Sequence, residues 1–442
     1  MAEISIICKR TVVSTKPVVP RKFNLLSVLD RVMEGNHLRM AFYYDFPTRR
    51  RPGELTKKLR ESMSEMLSDF PVVIGRLVRN PEGRWTVKCN DAGLRMVEAR
   101  AKGTVNEWLK NVDREKEMKL IHWEEMFHKP YFWSTFYVQI TEFENGGLAI
   151  GLSCSHLLSD PTSATIVIKA WADTTLKGEI VSPPLFNPLP SPKEGNKNTN
   201  NLISHYKSVI QNSPQISDTK RTTIALQFNQ QMVRSCISMA ATPNAQDHEL
   251  MPFEALAALF WTRISKLKGR KSSLVDMSIC LDMRKVLGLD KGFFGNCMVY
   301  KMVQGDGLDE NEVSKAAGFI KEAVSRMESD EVMDLIDWLE QENCENPPLM
   351  NGSHLICVSL ENGDAYSAVF EENWSLVRVS YYIEPAVGPG QIVIGPSPGI
   401  DGPDGRVVAV TLPEDEAEKL LEDEVIRKFA PTVLLGLNKK LS

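Results

Sequence analysis

The 442-residue chain has no excess of positive charge and no long apolar run. Its 52 Lys and Arg residues stand against 57 Asp and Glu residues, which gives a formal net charge of −5. Nucleic-acid binding relies on clustered positive charge, so this balance argues against nucleic acid as a partner. No run of about 18 uncharged apolar residues occurs, which argues against a membrane-spanning helix. The acidic Glu3 and the short apolar run before Lys9 are unlike a secretory signal, so we expect a cytoplasmic protein.

Paired cysteines and metal-binding motifs are also missing. The eight cysteines are scattered singly, and none belongs to a Cys-x-x-Cys pair. Such spacing is typical of reduced thiols in the cytosol rather than of a disulfide framework or a structural zinc site. The sequence also lacks a His-Glu-x-x-His motif, an EF-hand loop and a phosphate-binding glycine loop. It therefore predicts no metal site, no nucleotide-hydrolysing centre and no permanently bound cofactor.

What the sequence does contain is a clear break between two halves of similar size. Five prolines between Pro183 and Pro192 precede a run rich in Asn and Lys at residues 193–201. Proline fixes the backbone and removes hydrogen-bond donors, and the polar run has little to bury, so this stretch predicts an exposed connection. We predict an N-terminal lobe over residues 1–178, a crossover linker over residues 179–222 and a C-terminal lobe over residues 223–442.

Both halves mix helical and strand patterns. Apolar residues at steps of three and four, or a helix start at Asp160-Pro161, predict helices over 53–69, 164–176, 251–267 and 413–429. Apolar runs predict strands over 134–142, 148–155, 274–281, 296–303, 354–360, 376–383, 391–395 and 406–411. The strand over 148–155 has small or apolar residues on both faces, so we expect it to be central in its sheet. The predicted fold class is α/β, with mixed β-sheets and flanking helices in both lobes.

His156 is the one histidine whose sequence setting suits catalysis. It follows the predicted central strand, and Asp160 lies four residues later at the start of a predicted helix. Imidazole has an ordinary pKa of about 6.5, so it can accept a proton near neutral pH. A turn between the two residues would let the Asp160 carboxylate orient the ring or brace its loop. A buried core histidine beside a simple helix cap would give the same pattern, and the residues alone leave both interpretations open.

Four basic residues surround the end of the predicted helix over 251–267. They are Lys266, Lys268, Arg270 and Lys271. Fixed cations of this kind can bind the phosphates of an anionic carrier such as coenzyme A. A solvated polar surface would explain the same cluster, and the sequence does not say which face the side chains occupy.

Several motifs spread over nearly the whole chain accompany the block from His156 to Asp160. They are residues 26–30, 70–77, 89–93, 97–99, 281–284 and 292–296. With these motifs the chain resembles the plant BAHD acyltransferases, two-lobed α/β proteins that transfer an acyl group from coenzyme A to an alcohol or an amine. The resemblance implies a chloramphenicol acetyltransferase-like fold, a channel between the lobes, acyl-CoA as co-substrate and a monomeric state.

The resemblance also implies roles for individual residues. His156 would be the general base that removes the acceptor's proton, and Asp160 would be structural, fixing the loop that carries the base. Arg284, Gly295 and Asn296 match structural positions of the family. This chemistry requires no metal ion and no covalent enzyme intermediate.

One family signature is altered in this chain. The Asp-Phe-Gly-Trp-Gly motif corresponds to Val-Phe-Glu-Glu-Asn at residues 369–373, where only Phe370 matches. The missing Asp normally pairs with an arginine, which the resemblance matches to Arg284. The two lost glycines make a close turn harder to form. The altered motif therefore weakens the expectation of standard catalysis.

The same alteration occurs in a divergent branch that the chain also resembles, the eceriferum and glossy proteins of cuticular wax formation. The stretches at residues 88–99 and 146–153 are similar to that branch. This resemblance implies an alternative function, that of a non-catalytic partner of the condensing enzyme in the very-long-chain fatty acid elongase. Such a partner would be peripheral at the endoplasmic reticulum. One fold can host either role, so both functions stay open here.

Overall fold

The structure of the chain is a computed structural model. It describes residues 4–17, 22–46, 53–126, 132–190, 201–212, 219–241, 250–269, 273–309, 311–342, 350, 352 and 354–436. Within these ranges the chain forms helices and three β-sheets, and two of the sheets contain both parallel and antiparallel pairs. The predicted α/β class is therefore confirmed. No helix within these ranges is long and apolar enough to cross a membrane.

Strands occur in both halves of the described chain, and the predicted strands are present with small shifts at their ends. They are β1 (Ile4–Val12), β2 (Lys22–Leu25), β3 (His37–Asp45), β4 (Arg76–Arg79), β5 (Trp85–Cys89), β6 (Leu94–Ala101), β7 (Trp133–Ser134), β8 (Phe136–Phe143), β9 (Leu148–Ser155), β10 (Arg221–Phe228), β11 (Met277–Asp282), β12 (Met298–Val303), β13 (Leu355–Ser359), β14 (Ser375–Glu384), β15 (Gln391–Pro396), β16 (Arg406–Pro413) and β17 (Thr432–Leu435).

Helices alternate with these strands along the chain. They are α1 (Val28–Arg31), α2 (Glu54–Met66), α3 (Val105–Lys110), α4 (Arg114–Met118), α5 (Pro161–Lys177), α6 (Asn201–Gln211), α7 (Gln230–Ala240), α8 (Pro252–Leu267), α9 (Val313–Ser325), α10 (Ser329–Glu342), α11 (Glu414–Leu421) and α12 (Glu424–Arg427). The predicted helices over 53–69, 164–176 and 251–267 correspond to α2, α5 and α8.

The first of two compact units comprises Met1–Leu189, Asp290–Asn296 and Asp364–Glu384. Its main sheet has the strand order β1-β6-β8-β9-β3-β14, so β9 lies in the interior as predicted, and all its residues are buried. A smaller sheet has the order β2-β5-β4-β7. Helices α2 and α5 pack against each other, and the Trp171 indole donates a 2.9 Å hydrogen bond to the Leu59 carbonyl between them.

Glycines allow the hairpin of β8 and β9 to form and to be covered. Gly146 and Gly147 in the turn have φ values of 120° and 94°, which residues with side chains rarely adopt. At Gly151 in β9, a Cβ atom would lie 2.1 Å from the Leu120 carbonyl oxygen. The lack of a side chain there lets the segment after α4 rest directly on the sheet.

The second unit comprises Pro190–Leu289, Cys297–Gly363 and Pro385–Ser442. Its sheet has the order β12-β11-β13-β15-β16-β10-β17, in which β11, β13 and β15 run parallel and the remaining pairs are antiparallel. Helix α8 packs against α7, α9, α11 and this sheet, and it is buried from Pro252 to Ser265. The sequence predicted one apolar face for this helix. In the structure α8 is buried on all sides, because its small alanines and other apolar residues can pack against neighbours in every direction.

Part of the predicted linker is an ordered helix. Helix α6 lies within residues 179–222, and its Leu202, Tyr206 and Val209 are buried. These residues recur at steps of four and three, which is the spacing of one helix face. The prolines and the polar run predict an exposed connection, but the apolar face of α6 lets this part of it pack as a helix. Residues 191–200 and 213–218 lie outside the described residues.

Two segments of the predicted C-terminal lobe belong to the first unit instead. Strand β14 completes the main sheet of that unit, because it pairs with β3 from Ser375 opposite Asp45 to Glu384 opposite His37. Asp290–Asn296 is the second segment. The pairing of strands far apart in the sequence leaves no local signal, so a single cut of the chain could not describe the two units.

The predicted helix over 413–429 is two helices. Helix α11 ends at Leu421, and Asp423 then caps α12 by accepting hydrogen bonds of 2.9 and 3.1 Å from the N–H groups of Val425 and Ile426. An aspartate that binds the first N–H groups of a helix stabilises a new start. This cap explains why the apolar pattern continues while the helix does not.

Candidate functional site

His156 lies directly after β9 in the first unit. Its backbone N–H donates a 3.0 Å hydrogen bond to the carbonyl of Asn36, just before β3 begins. The last residue of β9, Ser155, pairs with His37 at the start of β3. His156 is buried, with 1 % of its surface exposed. Two neighbouring strands of the main sheet therefore fix its position.

Asp160 is the N-cap of α5, as predicted. Its carboxylate accepts a 2.8 Å hydrogen bond from the backbone N–H of Ser163, and Pro161 occupies the first turn. The Ser163 hydroxyl in turn donates to the Gly295 carbonyl at 2.9 Å. Asp160 thus braces the short turn between His156 and α5, and the start of α5 is tied to the segment that carries Gly295.

Asn296 contacts the His156 ring and determines its tautomer. The Asn296 Oδ1 atom lies 2.8 Å from the Nδ1 atom of His156. The Asn296 Nδ2 atom donates to the His156 carbonyl at 2.7 Å and to Asp30 Oδ1 at 2.8 Å. A carbonyl can only accept, so the amide nitrogen must face it and the amide oxygen must face the ring. Nδ1 therefore carries the proton, and Nε2 keeps its lone pair.

Asp30 holds Asn296 from the other side. Its Oδ1 atom accepts a 2.9 Å hydrogen bond from the Asn296 backbone N–H, and its Oδ2 atom accepts one of 2.7 Å from the backbone N–H of Ser27. Asp30 belongs to the family motif at residues 26–30, but the sequence predicts no role for it. The contact joins residues 266 positions apart, so no local pattern indicates it.

Burial governs the titration of His156 and Asp30. It lowers the pKa of His156 below the ordinary value of 6.5, although the charge of Asp160 and the hydrogen bond with Asn296 partly raise it. Burial raises the pKa of Asp30, and hydrogen bonds from Asn296 and Ser27 offset part of that effect. The imidazole is therefore neutral at pH 7.

A second polar cluster, which sequence reasoning missed, lies where β3 begins. The Glu384 carboxylate, at the end of β14, lies 3.0 Å from Nε2 of His37 and 3.1 Å from Nε of Arg39, and it also pairs with Arg114. The His37 ring stacks on Trp123 with 4.6 Å between ring centroids. A positive charge on His37 would lower the pKa of His156, so this cluster influences the titration of the candidate base.

The predicted basic cluster is only partly described. Lys266 is exposed at the end of α8. Lys268 forms an ion pair with Glu416, in which the two side chains are 18 % and 19 % exposed. Arg270 and Lys271 lie outside the described residues. The charge of Lys268 is thus already offset, and the binding of coenzyme A phosphates by this cluster stays a prediction.

Arg284 has a carboxylate partner within its own segment. Its Nη1 atom donates a 2.9 Å hydrogen bond to Oδ2 of Asp282, and its backbone N–H donates to Oδ1 of the same residue at 2.9 Å. Both side chains are buried. The loss of the motif Asp at residues 369–373 therefore does not leave this guanidinium without a carboxylate.

One residue of the altered motif belongs to the core of the first unit. Phe370, the one matching residue, is fully buried, and its ring meets those of Trp171 and Tyr44 edge-on at 4.9 and 5.4 Å between centroids. Glu371 forms a 2.8 Å ion pair with Lys58. The motif has lost its glycines, yet the aromatic anchor and this ion pair hold the loop in place.

The described residues also bear on metal and disulfide chemistry. Seven cysteines fall within them, and none of these seven forms a disulfide bond. The described part of the chain contains no group of three or more His, Cys, Asp or Glu side chains that could hold a metal ion. The predicted lack of a metal site in the whole chain stays a prediction.

Comparisons with known proteins agree with this architecture. ECERIFERUM 26 of Arabidopsis thaliana is 26 % identical over 434 residues, which cover 95 % of this chain and 95 % of that protein. Vinorine synthase has a similar fold, with a TM-score of 0.72, 19 % identity and coverage of 95 % of this chain and 98 % of that one. TRI101 of F. sporotrichioides, solved with coenzyme A and T-2, has a TM-score of 0.70, 13 % identity and coverage of 93 % and 99 %.

A match to a family model shows which protein family the chain belongs to. The model described as the Transferase family matches residues 2–425, which is nearly the whole sequence. The match includes β9, His156, Asp160 and the segment that carries Asn296. The chain therefore belongs to the Transferase family, that of the BAHD acyltransferases.

Proposed function

We propose that the chain transfers an acyl group from a coenzyme A thioester to an alcohol or an amine, with His156 as the general base. The observation that carries this proposal is the contact with Asn296, which leaves Nε2 of His156 as an unprotonated acceptor. Burial supports the same role, because it lowers the pKa of His156 and keeps the ring neutral at pH 7. A general base needs this combination of a neutral ring and a fixed tautomer.

In the proposed reaction, Nε2 of His156 takes the proton of the acceptor hydroxyl or amine as that group attacks the thioester carbonyl carbon. A C–O or C–N bond forms and the C–S bond breaks. The proton then passes from His156 to the departing coenzyme A thiolate, which returns the ring to its neutral form. Asn296 and Asp160 hold the ring and its turn throughout, and no metal ion or covalent intermediate takes part.

Acyl-CoA is the proposed co-substrate. This proposal is supported by the family membership and by the similar fold of TRI101, which was solved with coenzyme A. The candidates for binding the coenzyme A phosphates are Lys266, Arg270 and Lys271, because Lys268 already pairs with Glu416. A lysine or arginine contributes most to phosphate binding when no carboxylate already neutralises its charge.

The test is His156→Ala, measured by acyl transfer from a panel of acyl-CoA donors. Removing a general base should lower kcat about 10²- to 10⁴-fold. His205→Ala is a matched control, since His205 is also buried, at 3 % exposure, but lies in α6 of the second unit. Equal activity of the two variants, at equal folded fraction, would contradict the proposal.

A second candidate is the non-catalytic partner of an elongase condensing enzyme, peripheral at the endoplasmic reticulum. The observation behind it is the change at residues 369–373, which the chain shares with the eceriferum branch that it resembles. The same His156→Ala variant separates the two functions when it is expressed in a wax-deficient plant. Full restoration of long-chain wax supports the partner role, while failure of a stable variant supports acyl transfer.

Location and oligomeric state belong to the same proposal. Free thiols at the seven described cysteines support a reducing compartment, and we propose the cytoplasm. A monomer is the proposed state, and size-exclusion chromatography with light scattering measures it directly.

A further inference from the structure

A cavity of 1220 Å³ lies in the first unit, on one face of its main sheet. Ile4 and Ile6 of β1, Gln139 of β8 and Arg39 of β3 contribute to its floor, while α3, α4 and the segment at residues 119–125 form its wall. Small-molecule sites are usually about 300–1,000 Å³, so this cavity is large enough for a substantial ligand. Neither His156 nor the residues around it, Asp30, Asp160 and Asn296, line this cavity.

The cavity carries more positive than negative charge. Four cationic side chains line it, Arg39, Lys102, Lys116 and Lys119, against the carboxylates of Glu107 and Glu125. Lys116 also pairs with Asp113 at 3.2 Å, which leaves four cations against three carboxylates. The Glu107 carboxylate already accepts a 2.9 Å hydrogen bond from the backbone N–H of Thr104 at the start of α3. A carboxylate on a ligand would therefore meet a surplus of cations.

Arg39 is the most buried of these cations, and its ion pair does not fully neutralise the local positive charge. Arg39 and Arg114 share the single carboxylate of Glu384. Burial lowers the pKa of Arg39, the charge of Glu384 partly restores it and the charge of Arg114 lowers it again. One further anion near Arg39 would stabilise both guanidinium groups.

The cavity also has an extended apolar lining, beside the polar Asn111, His122 and Gln139. Trp108, Trp123, Met118 and Ile121 line the wall, and Ile6 remains 57 % exposed at the floor. Ile6 on β1 and Arg39 on β3 are separated by β6, β8 and β9. Ile6 lies in register with Tyr43 of β3, four residues from Arg39. Four strand spacings of about 4.8 Å across the sheet and four residues of about 3.3 Å along it place Ile6 and Arg39 roughly 23 Å apart. A compact ring system cannot touch both ends, whereas an extended alkyl chain can.

We propose that this cavity binds a long-chain carboxylate, with the alkyl chain lying towards Ile4 and Ile6 and the carboxylate lying towards Arg39 and Lys119. The site is separate from the acyl-transfer centre proposed at His156 and does not depend on that function. A long-chain carboxylate matches the surplus of cations at one end of the cavity, and its alkyl chain matches the half-buried Ile4 and the exposed Ile6 of the edge strand β1 at the other.

The test is calorimetric titration of the full chain with hexadecanoate below its micelle concentration. We expect one equivalent to bind, and hexanoate, which is too short to reach β1, to bind at least tenfold more weakly. Ile6→Glu should weaken hexadecanoate binding roughly tenfold, because it replaces an apolar contact by a like charge. Ile7→Glu is the matched control, since Ile7 is 54 % exposed on the same strand but does not line the cavity.

The charge contribution is tested with Lys119→Gln and with hexadecanol. Lys119→Gln should weaken hexadecanoate binding roughly two- to fivefold, the effect of a partly exposed charge pair, and leave hexadecanol binding unchanged. His156→Ala should bind hexadecanoate as the wild type does. Equal losses in Ile6→Glu and Ile7→Glu, tighter binding of benzoate than of hexadecanoate, or loss of binding in His156→Ala would overturn the proposal.

Discussion

A buried imidazole can act as a base only if one nitrogen keeps its lone pair, and Asn296 decides which nitrogen of His156 does so. The amide nitrogen of Asn296 is occupied by two oxygen acceptors, so its oxygen must receive the Nδ1 proton. Asp30 supports this orientation by accepting one hydrogen bond from the amide nitrogen and one from the Asn296 backbone N–H. The base is thus set by contacts from two distant segments of the first unit.

We expect Asn296→Ala to lower kcat about ten- to hundredfold with little change in the KM for acyl-CoA. The ring would lose a buried hydrogen bond and with it the fixed tautomer, and a loss of about 1.5–3 kcal/mol corresponds to that range. Steady-state kinetics measure both constants. Thr135→Val is the matched control, because the fully buried Thr135 also donates one hydrogen bond, to the Val73 carbonyl at 2.6 Å, away from His156.

The pH profile distinguishes this positioning role from a loss of fold. In the wild type, kcat/KM should be level at pH 7 and should fall on the acid side through a pKa below 6.5, as His156 gains a proton. The hydrogen bond with Asn296 raises that pKa, so its removal should move the acid limb to lower pH. A lower kcat with an unmoved acid limb would show that Asn296 supports the fold only.

At the residue scale the sequence singles out His156 and Asp160 as candidates but does not show which residues hold them. Asp160 was predictable, since its cap acts on Ser163 three residues away. The contact of Asn296 with His156 spans 140 positions, and the contact with Asp30 spans 266. Periodicity and capping rules act within a few residues, so only the family resemblance pointed to Asn296, and only as a structural position.

At the scale of elements, β14 is stabilised in its sheet by charge as well as by backbone pairing. Burial alone would raise the pKa of Glu384, but the hydrogen bond with His37 and the charges of Arg39 and Arg114 lower it to about 2. A carboxyl whose folded pKa lies below its unfolded value of 4.5 stabilises the fold above pH 4.5. That contribution is lost as the pH falls towards 2.

Glu384→Gln is expected to lower the free energy of unfolding by about 3 kcal/mol at pH 7, because two half-buried arginines lose their carboxylate. Urea unfolding at pH 7 and at several pH values below 4.5 measures this. The difference between variant and wild type should shrink as the pH falls towards 2. Glu61→Gln is the control, since the 63 % exposed Glu61 forms only a 3.8 Å pair with Lys57, and an unchanged difference at low pH would contradict the assignment.

Element positions were predicted well where one periodicity runs without interruption. Helices α2, α5 and α8 and the hairpin of β8 and β9 have clear apolar spacing and clear ends, such as Gly146 and Asp160. The helix over 413–429 was wrong as one element, because the cap at Asp423 interrupts a pattern that continues. Helix α6 was missed because composition, rather than spacing, was used for residues 179–222.

At the scale of the whole molecule, neither unit is a continuous stretch of chain. The chain passes from one unit to the other at residues 189/190, 289/290, 296/297, 363/364 and 384/385. The first unit therefore receives β14 and the segment with Asn296 from the second half of the sequence. A sequence-based division into two lobes predicts separable halves, whereas this connectivity predicts that each half depends on the other to fold.

Expression of residues 1–222 alone tests this dependence. The fragment lacks β14, so one edge of β3 has no partner strand, and it also lacks Asn296, so Asp30 and the His156 carbonyl lose the donors that satisfy them. We expect circular dichroism to show no cooperative unfolding transition and size-exclusion chromatography to show aggregates. Co-expression with residues 223–442 should restore both a cooperative transition and a single species. A monomeric fragment that unfolds cooperatively on its own would mean that β14 and the Asn296 segment are not needed to form the first unit.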